Sequence, residues 1–112
     1  MKEFYKNKKV LIAGGTGFIG RNLIEKLSTL GAKVTATHFT QNIFITKENI
    51  KFLRVDLTNY DSCLKATKDI DYVFMLAANT SGAAVIEKEP LAHLTPNVVM
   101  NSYMLAASYQ NN

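Results

Sequence analysis

The stretch from residue 10 to residue 20 constrains the fold of this chain more than any other. It reads Val-Leu-Ile-Ala-Gly-Gly-Thr-Gly-Phe-Ile-Gly, a short apolar run followed at once by closely spaced glycines. Apolar residues then recur at the spacing of an α-helix, at Ile19, Leu23, Leu27 and Leu30. Gly31 is placed to end that helix, and residues 33–37 resume as a second strand. The pattern predicts one compact β-α-β unit whose first strand passes through a glycine turn into a helix.

A turn of this kind is suited to the two linked phosphates of a dinucleotide. Residues without a Cβ let the backbone turn sharply and let phosphate oxygens approach the main chain. The first amides of an α-helix have no partner within the helix, and that end carries a partial positive charge. Because no Gly-Lys-Ser/Thr follows the glycines, a phosphate-binding loop of the nucleotide triphosphatase type is excluded. A dinucleotide is therefore the predicted ligand.

Length and composition narrow the class of protein further. The 112 residues leave room for one domain, residues 1–112. The net charge is +4, but several lysines lie in the first nine residues, which we interpret as a solvated N-terminal tail. No basic helix with interleaved aromatic residues is present, so we expect no nucleic-acid partner.

Cysteine usage and hydropathy bear on the compartment. Cys63 is the only cysteine, which excludes an internal disulfide, fits a reducing cytoplasm and offers no metal-binding spacing. No apolar stretch approaches the roughly 18 residues of a membrane span, so no membrane association is expected.

The remaining chain continues the alternation of strands and helices. Residues 50–56 and 71–78 are predicted strands, with a short helix over 60–67 between them. The second of these strands is an unbroken apolar run, which is typical of a parallel strand covered on both faces. A further helix is predicted over 97–110, with Pro90 ending a helical turn before it.

The glycine turn resembles a family signature. Residues 14–20 are similar to the Gly-x-x-Gly-x-x-Gly of the extended short-chain dehydrogenase/reductases, the NAD-dependent epimerases and dehydratases that mostly act on nucleotide sugars. Read from Gly15, the same glycines also satisfy the general Gly-x-Gly-x-x-Gly pattern. Residues 71–78 resemble the family's Asp-x-Val-x-His-Leu-Ala-Ala strand, with Met75 in place of the histidine. The resemblance implies an α/β fold, a Rossmann-type doubly wound parallel sheet in the order 3-2-1-4, truncated before the fifth strand.

The resemblance also implies which residues contact NAD or NADP. The turn and helix start would hold the pyrophosphate, the ends of the second and third strands the adenosine, and the end of the fourth strand with the last helix the nicotinamide ribose. The residues concerned are Gly14, Gly17, Phe18, Ile19, Gly20, His38, Asp56, Leu57, Leu76, Ala77, Ala78 and Asn97. Simpler roles stay open for three parts of this set. Asp56 also precedes a helix start, His38 is also a surface histidine, and residues 76–78 also suit core packing.

His38 departs from the family pattern. It stands where an acidic residue normally accepts hydrogen bonds from the adenosine ribose, which favours NAD. Without that acid the repulsion of a 2′-phosphate is absent, although Phe39 is not the arginine expected for NADP. Arg21 and Thr40 are candidate compensating residues. We hypothesise that NADP is tolerated alongside NAD.

Catalytic residues of the resembled family have no counterpart in this chain. The family uses a Tyr-x-x-x-Lys pair after its fifth strand, and the only such spacing here, Tyr5 to Lys9, precedes the first strand and is a chance match. Three interpretations remain. The chain is the cofactor-binding part of an enzyme acting on a nucleotide sugar by hydride transfer, inactive alone; a non-catalytic dinucleotide-binding or regulatory module; or a structural remnant that binds nothing. An open edge at the fourth strand beside an apolar helix favours a homo-oligomer.

Overall fold

A computed structural model describes residues 2–39, 49–77 and 87–112. The elements in chain order are α1 (Lys2–Tyr5), β1 (Lys9–Ala13), α2 (Phe18–Thr29), β2 (Lys33–His38), β3 (Ile50–Arg54), α3 (Tyr60–Ala66), β4 (Tyr72–Met75) and α4 (Pro90–Asn111). The helix predicted over 60–67 is confirmed as Tyr60–Ala66. The strands predicted over 50–56 and 71–78 are confirmed with the shorter bounds Ile50–Arg54 and Tyr72–Met75. Ala78 lies outside the described residues.

The four strands form one parallel sheet in the order β3-β2-β1-β4. This confirms the predicted Rossmann-type α/β fold and its strand order. β1 lies inside the sheet between β2 and β4, and its residues 10–13 are fully buried. Among the described residues, β4 pairs with β1 alone. The carboxyl end of β1 is thus the point at which the order of the strands reverses.

Two apolar clusters pack on opposite faces of this sheet. Strand alternation sends Val10 and Ile12 to one face and Leu11 and Ala13 to the other. The first face is covered by α2 through Ile24 and Leu27. The second face is covered over β1 and β4 by α3 and α4, whose buried members include Cys63, Ala66, Met104 and Ala107. A sheet covered on both faces explains why β1 is apolar from Val10 to Ala13.

Helix α2 ends just before Gly31, as the sequence predicted. Gly31 has φ +85°, its amide donates to the Ser28 carbonyl at 3.0 Å, and the Ala32 amide donates to the Leu27 carbonyl at 3.1 Å. These two bonds are those of a Schellman motif, in which glycine takes the left-handed position at no Cβ cost. The chain is thereby turned directly into β2.

Both ends of the chain differ from the sequence-based prediction. Residues 2–5 form a helical turn, and the Phe4 and Tyr5 rings lie 5.4 and 6.3 Å from the Tyr72 ring, so the interpretation of a solvated tail is wrong there. Helix α4 begins at Pro90 and continues through Pro96, seven residues earlier than predicted. Proline is favoured at the first helical position, where its missing N–H would have no partner. Burial of Met104 and Ala107 offsets the bond that Pro96 removes.

Candidate functional site

The glycine turn occupies the end of β1 at the reversal of strand order. Residues 14–17 leave β1 after Ala13 and enter α2 at Phe18. β2 and β4 flank the turn on either side, because Ile12 pairs with Ala36 and Ala13 pairs with Met75. In open α/β sheets this crevice at the carboxyl ends of the strands is where ligands bind.

Thr37 of β2 holds the first half of the turn. Its hydroxyl accepts a hydrogen bond from the Gly14 amide at 2.9 Å, and its carbonyl accepts one from the Gly15 amide at 2.9 Å. Thr37 is only 2% exposed, so both bonds are shielded from water. The expectation that the turn offers its amides to a ligand is therefore corrected for these two residues: they are donors within the protein.

The amides of the second half of the turn and of the start of α2 differ from these two. No described residue accepts a hydrogen bond from the amides of Thr16, Gly17, Phe18, Ile19 and Gly20. Gly17, Phe18 and Ile19 are exposed, and α2 has no acidic residue in its first turn to compensate its dipole. Amides without partners at the positive end of a helix are an anion-binding arrangement.

The glycines of the turn have two different physical roles. A Cβ on Gly14, which has φ +85°, would lie 2.6 Å from the Ala77 Cα, and a Cβ on Gly20 would lie 2.5 Å from the Gly14 carbonyl oxygen. Both therefore permit close packing within the protein. A Cβ on Gly17 would meet nothing nearer than 3.9 Å. The protein itself does not require glycine at position 17, which is the feature expected where a ligand approaches the backbone.

His38 ends β2 beside Arg54, the last residue of β3. The strand register pairs their Cα atoms, so both side chains start from the same face of the sheet, and the His38 ring lies 6.2 Å from the Phe52 ring. His38 is half-buried and Arg54 is exposed. The end of β2 is thus flanked by a cationic residue rather than by a carboxylate.

Asp56 takes the role at the helix start that the sequence left open. Its Oδ1 accepts hydrogen bonds from the Thr58 hydroxyl at 2.6 Å and from the Thr58 amide at 2.9 Å. These bonds, the hydroxyl bond first, lower the pKa of Asp56. Helix α3 is then capped by Asn59, whose side chain accepts from the Ser62 amide at 3.1 Å. Leu57 is buried in the second apolar cluster, and its carbonyl accepts a bond from the Cys63 thiol at 3.2 Å.

The end of β4 lies against the glycine turn. The Leu76 amide donates to the Ala13 carbonyl at 2.8 Å, and Ala77 is the residue that Gly14 approaches. Leu76 packs on the first apolar cluster and Ala77 on the second, as the core-packing interpretation expected. Asn97 is half-buried within α4.

Tyr5 and Lys9, which match the spacing of the family's catalytic pair, lie at the end of the sheet opposite the glycine turn. Tyr5 belongs to α1 and Lys9 begins β1, whereas the glycine turn follows the end of β1. Within residues 2–39, 49–77 and 87–112, no group of three metal-binding side chains is found. In the same part of the chain, no helix is long and apolar enough to cross a membrane.

Sequence reasoning missed Thr37 and Arg54. Thr37 is 23 residues from Gly14, and Arg54 is 16 residues from His38 along the chain. Both relationships depend on how neighbouring strands are aligned.

Comparisons with known proteins match this geometry. A family model described as the NAD dependent epimerase/dehydratase family matches residues 10–112. GDP-mannose 3,5-epimerase 1 of Oryza sativa subsp. indica is 31% identical over 114 residues, which cover 98% of this chain and 30% of that protein. The chain thus spans about a third of the length of the curated relatives that it matches first.

Solved structures agree on the fold. The epimerase Mth375 of Methanothermobacter thermautotrophicus aligns with a TM-score of 0.88 at 27% identity, over 99% of this chain and 34% of that one. Pen of Bacillus thuringiensis aligns with a TM-score of 0.85 at 31% identity, over 96% of this chain and 36% of that one. The NAD dependence in the family's description agrees with the expected cofactor class, NAD or NADP. The chain belongs to the NAD dependent epimerase/dehydratase family.

Proposed function

We propose that this chain is the NAD(P)-binding part of an epimerase, dehydratase or reductase that acts on a nucleotide sugar. The observation that carries the proposal is the run of backbone amides from Thr16 to Gly20 at the carboxyl end of an inner parallel strand. No described residue accepts a hydrogen bond from these amides. A pyrophosphate carries charge and acceptor oxygens that match such donors.

The proposed contacts follow from the placement of the residues. Gly17, Phe18 and Ile19 would bind the pyrophosphate through their amides, while Gly14 and Gly20 would shape the turn. His38 would contact the adenosine ribose, and Asp56 and Leu57 would contact the adenine. Leu76, Ala77, Ala78 and Asn97 are the residues proposed for the nicotinamide side.

The nucleotide-sugar substrate is supported by the relatives. The GDP-mannose 3,5-epimerases of rice and Arabidopsis resemble this chain over nearly its whole length. When bound, the nicotinamide supplies the hydride acceptor and donor of the complete enzyme. The part played by this chain's own residues is to bind and orient that cofactor.

The test is a Gly17→Val variant with thermal unfolding in the presence of NAD or NADP. A ligand at one hundred times its dissociation constant stabilises the folded state by about 2.7 kcal/mol, which corresponds to roughly 10 °C in melting temperature for a domain of this size. We expect the parent to show such a rise and Gly17→Val to show none.

The melting temperature without cofactor is the control. Because a Cβ at position 17 meets no atom nearer than 3.9 Å, the variant should fold like the parent. If the folded variant binds the cofactor as tightly as the parent, the glycine turn is not the binding site.

A further inference from the structure

Three lysines lie on one face of the sheet, near the amino ends of the strands and thus at the end opposite the glycine turn. Lys9 at the start of β1 pairs with Lys33 at the start of β2, and Lys51 of β3 pairs with Thr35. Since side chains alternate along a strand, Lys33 and Thr35 share a face, and the register brings Lys9 and Lys51 to that same face. These charges are therefore not scattered, and Lys9 is not part of a tail.

No described helix covers this corner of the sheet. The face is the one that carries Leu11 and Ala13, but the apolar cluster there contains no described residue of β2 or β3. Lys33 and Lys51 are exposed, and Thr35 is half-buried. The polar side chains of this face therefore border solvent. Apolar side chains at the same positions would need a helix to cover them.

The connection from α3 to β4 closes the corner into a groove. It brings Lys68, Asp69 and Ile70 opposite the three strands, and the groove has a volume of about 600 Å³. That volume is within the range of small-molecule sites. We call these residues, Lys9, Lys33, Lys51, Lys68 and Asp69, the lysine groove.

The lysine groove carries an unbalanced positive charge. Its described lining includes four lysines and one acidic residue, Asp69. The nearby Asp71 carboxylate accepts a bond from the Lys9 backbone amide at 2.8 Å. None of the four lysine side chains forms a hydrogen bond or an ion pair with a described residue. Their mutual repulsion is relieved by an anion that carries several charges.

We propose that the lysine groove binds a linear phosphate chain of two or three phosphoryl groups, at a site separate from the glycine turn. Lysines act on phosphate as mobile point charges, which suits a chain of charged groups more than one planar anion. No described residue that lines the groove is aromatic, so none of these residues would stack on a nucleobase. The recognised chemistry is therefore the phosphate chain itself.

The test is calorimetric titration with inorganic tripolyphosphate at low ionic strength. We expect Lys33→Gln/Lys51→Gln to weaken binding by about tenfold or more, because two of four charges next to the anion are removed. The matched control, Lys26→Gln/Lys88→Gln, removes the same charge from exposed positions outside the groove and should retain binding. Binding in the parent should fall steeply between about 0.01 M and 0.1 M salt.

Two further arms separate this site from the glycine turn and identify the source of the phosphate. Gly17→Val should retain the tripolyphosphate binding that the groove variant loses. ATP that binds no more tightly than tripolyphosphate supports recognition of the chain alone, and ATP that binds more tightly but loses affinity in the groove variant supports a nucleotide source. The proposal is overturned if the parent does not bind, if the control loses as much affinity as the groove variant, or if Gly17→Val abolishes binding.

Discussion

The Thr37 hydroxyl accepts a hydrogen bond from the Gly14 amide at 2.9 Å, while the Thr37 carbonyl accepts one from the Gly15 amide at the same distance. One buried residue of β2 thus fixes two successive amides of the turn that follows β1. The amides from Thr16 to Gly20 have no acceptor among the described residues, which leaves them available to the proposed cofactor. The shape of the proposed cofactor site depends on a residue that would not itself touch the cofactor.

Thr37→Val should destabilise the protein and weaken cofactor binding together. Valine has nearly the same shape but leaves the Gly14 amide without its acceptor, which costs about 1–3 kcal/mol in a buried site. Urea unfolding measures the first effect and titration with NAD the second. Thr37→Ser keeps the hydroxyl and is the matched control. A Thr37→Val protein with parental stability would show that the bond contributes nothing.

The glycine turn was predictable because it follows from a local pattern, and the strand order was predictable because the resemblance to a known family implied it. An apolar run, closely spaced glycines and a helical repeat identify the turn, and the preference for right-handed crossovers restricts the sheet to few arrangements. The pairs Gly14 with Thr37, His38 with Arg54 and Lys9 with Lys33 were not predictable, since each depends on the register between strands. The predicted start of α4, after Pro96, was wrong because the packing of α4 outweighs the local rule that a helix is interrupted at proline.

Gly14→Ala should destabilise the protein, whereas Gly17→Ala should not. Alanine at position 14 must adopt φ +85° and would place its Cβ 2.6 Å from backbone atoms of Ala77. Strain of this kind costs about 1–3 kcal/mol. Alanine at position 17 has room and an ordinary backbone conformation, so its effect should lie within about 0.5 kcal/mol. Chemical denaturation of the two variants side by side measures the difference, and equal losses would contradict the assigned roles.

NADP should bind with an affinity comparable to that of NAD. No carboxylate stands at His38 to repel a 2′-phosphate, and Arg54 starts from the neighbouring position in β3. His38→Asp should reduce the affinity for NADP by about tenfold or more while sparing NAD, because a negative charge is placed beside the phosphate. Arg54→Gln should also weaken NADP selectively.

Fluorescence titration with both cofactors measures this selectivity. Lys26→Gln, which removes one positive charge from an exposed position of α2 outside the lysine groove, is the control. A parent protein that clearly prefers NAD would refute the hypothesis that NADP is tolerated.

The bond between Thr58 and Asp56 should contribute stability that disappears in acid. Because hydrogen bonds from Thr58 lower the pKa of Asp56 in the folded state, the contribution is present above the unfolded pKa of about 3.9 and is lost as the pH falls through the folded value. Asp56 is largely exposed to solvent, so screening keeps the effect below about 1 kcal/mol.

Thr58→Val removes the hydroxyl at nearly constant shape, and Thr58→Ser retains it. Urea unfolding should show the valine variant less stable than the serine variant at pH 7, with the gap closing near pH 2. A gap of the same size at both values would show that the stabilisation does not involve the ionised carboxylate.

The outer face of α4 should cause the protein to self-associate. Five exposed apolar residues recur along one side of the helix, opposite the buried Met104 and Ala107: Leu91, Leu94, Val98, Leu105 and Tyr109. An apolar stripe of this kind beside a strand whose other edge has no described partner is typical of a protein interface. Light scattering at micromolar concentration should therefore report a species larger than a monomer. Val98→Glu/Leu105→Glu should shift this species toward the monomer, because carboxylates cannot be buried unpaired in an interface. The control Ala106→Glu/Gln110→Glu adds two carboxylates at exposed positions beside the stripe and should not change the size of the species. A parent protein that scatters as a monomer would contradict this expectation directly.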